Sequence, residues 1–282
     1  MIIFKQRRDL KKYLQGKAVS ESSIGFVPTM GALHAGHLSL LKKCNEICEI
    51  SVCSIFVNPT QFNNSDDYIH YPKTLEKDIL LLEENNCDVL FLPGEKEIYP
   101  DEASKEKFFD LGYLETILEG KFRPGHFQGV CLVVEKLLNI VNPDVLFLGQ
   151  KDFQQCMIIK RLIELMQKRI RLIICPILRE ESGLAMSSRN LRLNPQERKT
   201  AAELYRTLIS IKDHLDGNNF STLKDKAIQN LENRGFKVEY LELAKTNNLE
   251  LVSGAKNEQE LILLVAAFLN DVRLIDNLII NP

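Results

Sequence analysis

Between residues 24 and 175, short apolar runs alternate with stretches of helical periodicity, and few architectures accept such a chain. Ile24–Val27, Ile50–Val57, Val89–Leu92, Val145–Leu148 and Leu172–Cys175 read as strands. Between them, apolar side chains recur at helical spacing. The sets are Leu38, Leu41, Cys44 and Cys48; Leu75, Ile79 and Leu82; Val130, Val133, Leu137 and Val141; and Ile158, Leu162 and Leu165. Strands that are apolar on both faces need cover on both faces. The expected fold class is therefore α/β, a Rossmann-like doubly wound parallel sheet with helices on either side.

After Pro176 the texture changes. A polar segment, Arg179–Asn194, carries Gly183 and little periodicity. Helical patterns follow at Pro195–Leu215 and Phe220–Asn233. Strand-like runs then come at Val238–Ala244, Leu261–Phe268 and Val272–Ile275, with Asn270-Asp271 placed to turn a hairpin. This reads as a second, smaller α+β domain. The division expected is 1–176 and 177–282.

With 282 residues the chain has the length for one large domain or two ordinary ones. Its 36 basic and 38 acidic side chains leave a net charge of −2, which argues against a general polyanion binder. The Lys5, Arg7, Arg8, Lys11, Lys12 cluster is short and reads as a solvated helix face. The 7 cysteines are odd in number and form no C-x-x-C pair, so reduced thiols are expected rather than a disulfide framework. The N-terminal MIIFKQRRDLKKY lacks the apolar core of a signal peptide. Leu261–Leu269 falls well short of the ~20 apolar residues of a membrane span. A cytoplasmic location, with no membrane partner, is the expectation.

There is no G-x-x-x-x-G-K-[ST], G-x-G-x-x-G, H-E-x-x-H or G-x-S-x-G. Phosphate-loop ATPases, ordinary dinucleotide enzymes, zincins and serine hydrolases are disfavoured. Two other segments carry chemistry. VPTMGALHAGH (27–37) follows a strand and opens a helix, where free N–H groups favour an anion. His34 and His37 could donate to phosphate oxygens there, or form a structural pair; a metal pair lacks a third ligand nearby. GLAMSSRN (183–190) offers two hydroxyls and a guanidinium that could wrap a triphosphate, with Arg189 neutralising charge on departing pyrophosphate; standing alone it would read first as a solvated linker.

Together, the H-x-G-H turn and the M-S-S-R loop resemble the paired signatures of the class I nucleotidyltransferase superfamily, in which the second is K-M-S-K-S-like. The likeness narrows further. VPTMGALHAGHLSL (27–40), SIFVNPTQF (54–62), YPKTLEKD (71–78), GKFRPGHFQGV (120–130), GQKDFQQ (149–155), GLAMSSRN (183–190) and RLIDN (273–277) occur in the order seen in the pantothenate synthetase (pantoate–β-alanine ligase) family.

The resemblance implies an AMP-forming ligase that joins (R)-pantoate to β-alanine through a pantoyl adenylate, with ATP as substrate and Mg²⁺ as companion ion. It also implies a homodimer, and a smaller domain that closes over ATP. Carried over motif by motif, Met30, Gly31, Ala32, Leu33, His34, Ala35, Gly36 and His37 would line ATP. His34 and His37 would meet its phosphates, with His37 as a proton donor. Gly149, Gln150, Lys151 and Asp152 would cradle the nucleotide, Lys151 reaching the phosphates. Leu178 would lie on the adenine side, and Met186, Ser187, Ser188 and Arg189 would close over the triphosphate. His34, His37, Lys151 and Arg189 are thus the expected catalytic set. Gln61 and Gln155 would hold pantoate, Gln61 also touching β-alanine; Asn58 and Arg123 are weaker candidates nearby.

Other residues read more modestly. His126 reads as a loop-ordering residue, and His70 and His214 as surface groups. Asp78 and Asp152 are open to a magnesium-side role, Asp78 equally to a helix surface. Gln150 replaces a usual glutamate, which puts a side-chain role there in doubt. Two rivals remain. A nucleotidyltransferase of the same superfamily would have no need of PTQF, RPGHF and GQKDFQQ. A noncatalytic RNA-binding or nucleotide-sensing module is disfavoured by the charge balance and by the presence of all four expected catalytic residues.

Overall fold

A computed structural model of the chain describes residues 1–18, 22–62, 68–69, 71–101, 106–216, 219–254 and 260–280. The expected surface residue His70 lies outside them. The chain divides into two compact units, one made of 1–149 and 155–176, the other of 150–154 and 177–282.

The first unit runs β1 (Ile2–Phe4), α1 (Arg7–Ala18), β2 (Ile24–Thr29), α2 (Ala35–Ile47), β3 (Ile50–Ile55), α3 (Leu75–Glu84), β4 (Val89–Phe91), α4 (Glu95–Ile98), α5 (Leu118–Phe122), α6 (His126–Val141), β5 (Val145–Gly149), α7 (Phe153–Leu165) and β6 (Arg171–Cys175). Among the described residues its sheet has six strands in the order β1-β4-β3-β2-β5-β6, and neighbouring strands pair in parallel. Successive strand residues divide between two cores, as the twofold side-chain period requires. Phe26, Val52, Val89, Phe91 and Leu146 pack with Leu10, Leu14 and the apolar faces of α6 and α7. Val27, Cys53, Leu90 and Phe147 pack with Leu40, Leu41 and Cys44 of α2 and Leu82 of α3. All seven cysteines are free thiols buried in this unit. The edge strand β1 escaped the sequence reading, since three residues are too few to show a period.

The chain builds β2, β3 and β4 outward to one side and returns through β5 to the other. The order therefore reverses between β2 and β5, which pair through Gly25↔Val145 and Phe26↔Leu146. Crevices at the carboxyl ends of such strands are where open α/β sheets take ligands.

The second unit holds α8 (Pro195–Ala201), α9 (Glu203–His214), α10 (Phe220–Glu232), β7 (Phe236–Lys245), β8 (Leu261–Leu269) and β9 (Val272–Ile280). The three strands form an antiparallel sheet in the order β7-β8-β9. Leu204, Leu208, Ile211, Ala227 and Leu231 from the helices pack with Leu241, Leu243, Leu263 and Val265. The pattern expected as one helix at 195–215 is two, with Ala202 between them. β9 runs five residues beyond the expected Ile275, because its interior polar residues find buried partners. No helix among the described residues is long and apolar enough to cross a membrane.

Candidate active site

The turn that follows β2 is held from two sides. From within, the side chain of His34 caps α2: its Nδ1 accepts from the Gly36 N–H at 3.1 Å, and the His37 Nδ1 accepts from the His34 N–H at 3.4 Å. An imidazole that accepts at Nδ1 carries its proton, when neutral, on Nε2. Both rings are thereby set as Nε2–H donors, their centroids 4.1 Å apart. Both are half-buried.

From outside, Asp78 of α3 braces the same turn. Its carboxylate accepts from the Ala32 N–H and the Leu33 N–H, each at 2.8 Å, and from Thr74 Oγ1 at 3.0 Å. Asp78 is 1 % exposed, so the surface-charge alternative is overturned. Its oxygens already serve the turn, a role the sequence reading missed. The bracing suits a backbone that is left-handed at Gly31 (φ 79°) and at Ala32 (φ 49°). A Cβ at Gly31 would stand 3.0 Å from Asp78 Oδ2.

Beyond β3, a 3₁₀ turn at Pro59–Gln61 places two amides beside this turn. Asn58, 1 % exposed, donates to Gln61 Oε1 and to the Gly129 carbonyl, each at 3.2 Å, and accepts from the Tyr99 hydroxyl at 2.8 Å. Gln61 Nε2 reaches Met30 Sδ at 3.1 Å, which ties the expected pantoate residue to the expected nucleotide turn. His126 has Arg123 Nη1 at 3.0 Å from its Nε2. A guanidinium only donates, so Nε2 accepts and Nδ1–H donates to the Gln61 carbonyl at 2.8 Å. Its loop-ordering part is therefore concrete: it fixes the backbone of Gln61. Desolvation pushes the Tyr99 hydroxyl up to about 12. Gln155 sits half-buried on the first turn of α7.

In the second unit, 150–154 and the segment after Pro176 form a separate hydrogen-bonded group. The start of the polar stretch, which shows little periodicity, folds into a small hairpin. The Glu180 N–H donates to the Leu184 carbonyl at 2.8 Å and the Met186 N–H to the Leu178 carbonyl at 3.0 Å. It escapes periodicity because its order comes from turn bonds. Gly183 makes the bend at φ +93°, where a Cβ would stand 2.7 Å from the Tyr205 ring. Next, Ser187 Oγ accepts from the Arg189 N–H at 3.2 Å, opening a 3₁₀ turn at Ser188–Arg192. Leu178 is exposed, Met186, Ser187 and Arg189 are half-buried, and Ser188 is buried.

Arg179, which the sequence reading passed over, runs beneath this hairpin. Its guanidinium meets the Asp276 carboxylate at 2.6 and 2.9 Å, donates to the Gly183 carbonyl at 3.0 Å, and stacks 3.6 Å from the Tyr205 ring centroid. Burial holds the Asp276 carboxyl above its usual range, against the pull of Arg179 and the Asn277 N–H. Lys151 Nζ lies 3.4 Å from Asp152 Oδ2. Gln150 Nε2 donates to Asn277 Oδ1 at 3.0 Å, so the amide that replaces the usual glutamate has a side-chain partner. Two polar residues inside the apolar run Leu274–Ile280 were the sequence signal for Asp276 and Asn277. His214 ends α9, with its Nδ1 2.8 Å from the Ser210 carbonyl.

Among the described residues, no group of three or more His, Cys, Asp or Glu could hold a metal ion. A divalent ion that entered with a nucleotide would rely on phosphate oxygens and water for most of its ligands.

An open parallel sheet that ends its switch-point strand in an H-x-G-H turn, with a serine- and arginine-bearing hairpin later in the chain, defines a nucleotidyltransferase-like α/β protein. The family described as pantoate-beta-alanine ligase matches residues 2–279. The pantothenate synthetase of Cytophaga hutchinsonii is 43% identical, over 99% of both chains. The crystal structure of the Thermus thermophilus pantothenate synthetase superposes with a TM-score of 0.88 at 35% identity, over 100% of both chains. That of the Francisella tularensis pantoate-beta-alanine ligase, complexed with beta-gamma ATP and beta-alanine, gives 0.82 at 38% identity, over 99% of this chain and 97% of that one. The chain belongs to the pantoate–β-alanine ligase family, and is a ligase that forms an amide bond.

Proposed function

We propose that the chain condenses pantoate with β-alanine at the expense of ATP, through a pantoyl adenylate. The observation that carries this reading is the doubly braced H-x-G-H turn at the sheet's switch point, in a chain that matches the ligase family over residues 2–279.

The pantoate carboxylate is ionised at neutral pH and needs no side-chain activator. It attacks the α-phosphorus of ATP, the bond to the β-phosphate oxygen breaks, and pyrophosphate leaves. The amine of β-alanine, having lost one proton to solvent, then attacks the acyl carbon; AMP departs with the bonding pair and the amine gives up its second proton. The protein's task is positioning and charge neutralisation. In the first unit, the Nε2–H groups of His34 and His37 donate to phosphate oxygens. His37 is the proton donor, and residues 30–36 line the nucleotide. Gln61 and Gln155 hold pantoate, with Gln61 oriented by Asn58 and His126. In the second unit, Lys151 and Arg189 neutralise charge on the phosphates, Ser187 and Ser188 offer hydroxyls, and Gln150, Asp152, Leu178 and Met186 contact the nucleotide; Gly149, which ends β5 of the first unit, contacts it too. Magnesium enters as part of the MgATP substrate. The working form is a cytoplasmic homodimer, which sedimentation velocity would test.

The decisive experiment is exchange of labelled pyrophosphate into ATP with magnesium, with and without pantoate, before β-alanine is added. Exchange that requires pantoate supports the reading. Exchange without pantoate, or with another acid only, overturns the substrate assignment. His37→Ala should cut pantoate-dependent exchange by about 10²-fold or more.

A further inference from the structure

The R-L-I-D-N run near the end of the chain has no part in the chemistry above, yet two of its side chains are among the most buried polar groups in the protein. Asp276 is 4 % exposed and Asn277 1 %. They are consecutive on β9, pairing with Val265 and Leu264 of β8. Consecutive strand residues point to opposite faces, so each can serve a different segment.

Asn277 serves the turn after β5. Its Nδ2 donates to the Gln150 carbonyl at 2.9 Å and to the Lys151 carbonyl at 3.0 Å, while its Oδ1 accepts from Gln150 Nε2 at 3.0 Å. Both amide protons and the oxygen are engaged, and the backbone that carries Lys151 is fixed by them. Asp276 serves the hairpin. It holds Arg179 through two charge-assisted bonds, and Arg179 in turn holds the Gly183 carbonyl at the bend. Leu184, next in the chain, is buried in the core of the same unit and anchors the hairpin tip. The Arg179 Nη2 also donates to the Asn277 carbonyl at 3.2 Å, which links the two arrangements.

We propose that Asp276 and Asn277 are positioning residues for ATP: through them the register of one strand sets the Lys151 turn relative to the hairpin that leads into Ser187, Ser188 and Arg189. Neither touches substrate. This rests on the assignment of Lys151 and the hairpin to the triphosphate. A phosphate clamp whose two halves stand on separate segments works only if the halves keep their spacing. A misplacement of about 1 Å costs a reaction of this kind roughly a hundredfold.

The test uses the full chain with Asn277→Asp, Asn277→Ser and Asp276→Asn. Asn277→Asp is nearly isosteric, but it removes both donors and sets a carboxylate against two carbonyl oxygens. Asn277→Ser retains one donor without charge, and reports should the aspartate variant fail to fold. Two readouts are taken: pantoate-dependent pyrophosphate exchange, giving kcat/KM for ATP and KM for pantoate separately, and MgATP binding by calorimetry. The expected result for Asn277→Asp is a loss of about 10- to 100-fold in kcat/KM for ATP, with KM for pantoate within about twofold of wild type. Asn277→Ser and Asp276→Asn should fall between. Equal kcat/KM for ATP in wild type and folded variants overturns the proposal, as does parallel weakening toward ATP and pantoate. Should the wild type show no pantoate-dependent exchange, the functional reading fails, and the MgATP titration decides the positioning claim: weaker binding by the variants supports it, equal binding overturns it.

Discussion

Replacing Asp78 by asparagine exchanges one carboxylate oxygen for an NH₂ group and should loosen the turn that carries both candidate active-site histidines. The native carboxylate accepts two backbone N–H groups at 2.8 Å, from Ala32 and Leu33, residues 3 % and 5 % exposed. An amide has one oxygen for two donors. One bond therefore falls from charge-assisted to neutral, and the second donor faces an NH₂ group. A bond to a charged acceptor contributes about 1.5–3 kcal/mol and a neutral one about 0.5–1.5 kcal/mol, so the loss should be about 2–4 kcal/mol. At roughly 2–4 °C per kcal/mol for a unit of this size, melting should fall by about 5–15 °C. Ala32 at φ 49° adds its own tendency to leave the left-handed region once the tether weakens. Thermal melts followed by far-UV dichroism measure the first effect; KM for MgATP in pantoate-dependent exchange, expected to rise, measures the second. Thr74→Val, which removes only the 3.0 Å hydroxyl bond, should cost about 1 kcal/mol. An Asp78→Asn protein that melts within about 2 °C of wild type, with unchanged kcat/KM for ATP, would refute the reasoning. The His34–His37 capping box would then hold the turn unaided.

Other outcomes follow from single sites. Gly183→Ala should destabilise the second unit by about 1–3 kcal/mol, read as a lower urea midpoint, since φ +93° and the Tyr205 ring at 2.7 Å both oppose a methyl group. Tyr99 should ionise near pH 12 in a titration followed at 295 nm, and Tyr99→Phe should abolish that step. The folded protein keeps a phenolic proton that the unfolded chain gives up near its ordinary value of 10.0, so this group makes stability fall as pH rises from about 10 to about 12. Ellman's reagent at pH 8 should find no fast-reacting thiol in the native protein and 7 after denaturation. Burial hides the sulfurs, and it pushes Cys131 up to about 12. A rapid native reaction would mean that the unit opens locally.

Much of the architecture was legible because burial on both faces of a parallel sheet leaves strands apolar throughout, and helices betray themselves by period. β1 was too short to show a pattern, and the hairpin at 178–186 is built from turn bonds that no period reports. At the candidate site the motif residues were readable in order, from His34 and His37 to Arg189. Their supports were less so. Asp78 looked like a helix-surface or metal-side charge, because its spacing within α3 says nothing about Ala32 and Leu33 more than forty residues away. Arg179 showed no signal at all, and Asp276 and Asn277 stood out only as part of the R-L-I-D-N segment, with no role attached to either.

Local chain chemistry is carried by neighbours in sequence: which segments become strands, where a helix can start on histidine caps, and which polar side chains are available to phosphates. Those the amino-acid order determined by itself. Which carbonyl an amide holds, and whether a carboxylate serves solvent, metal or backbone, depend on partners brought close by the fold. The tertiary structure decided these, because hydrogen bonds are made at about 3 Å in space whatever the distance along the chain.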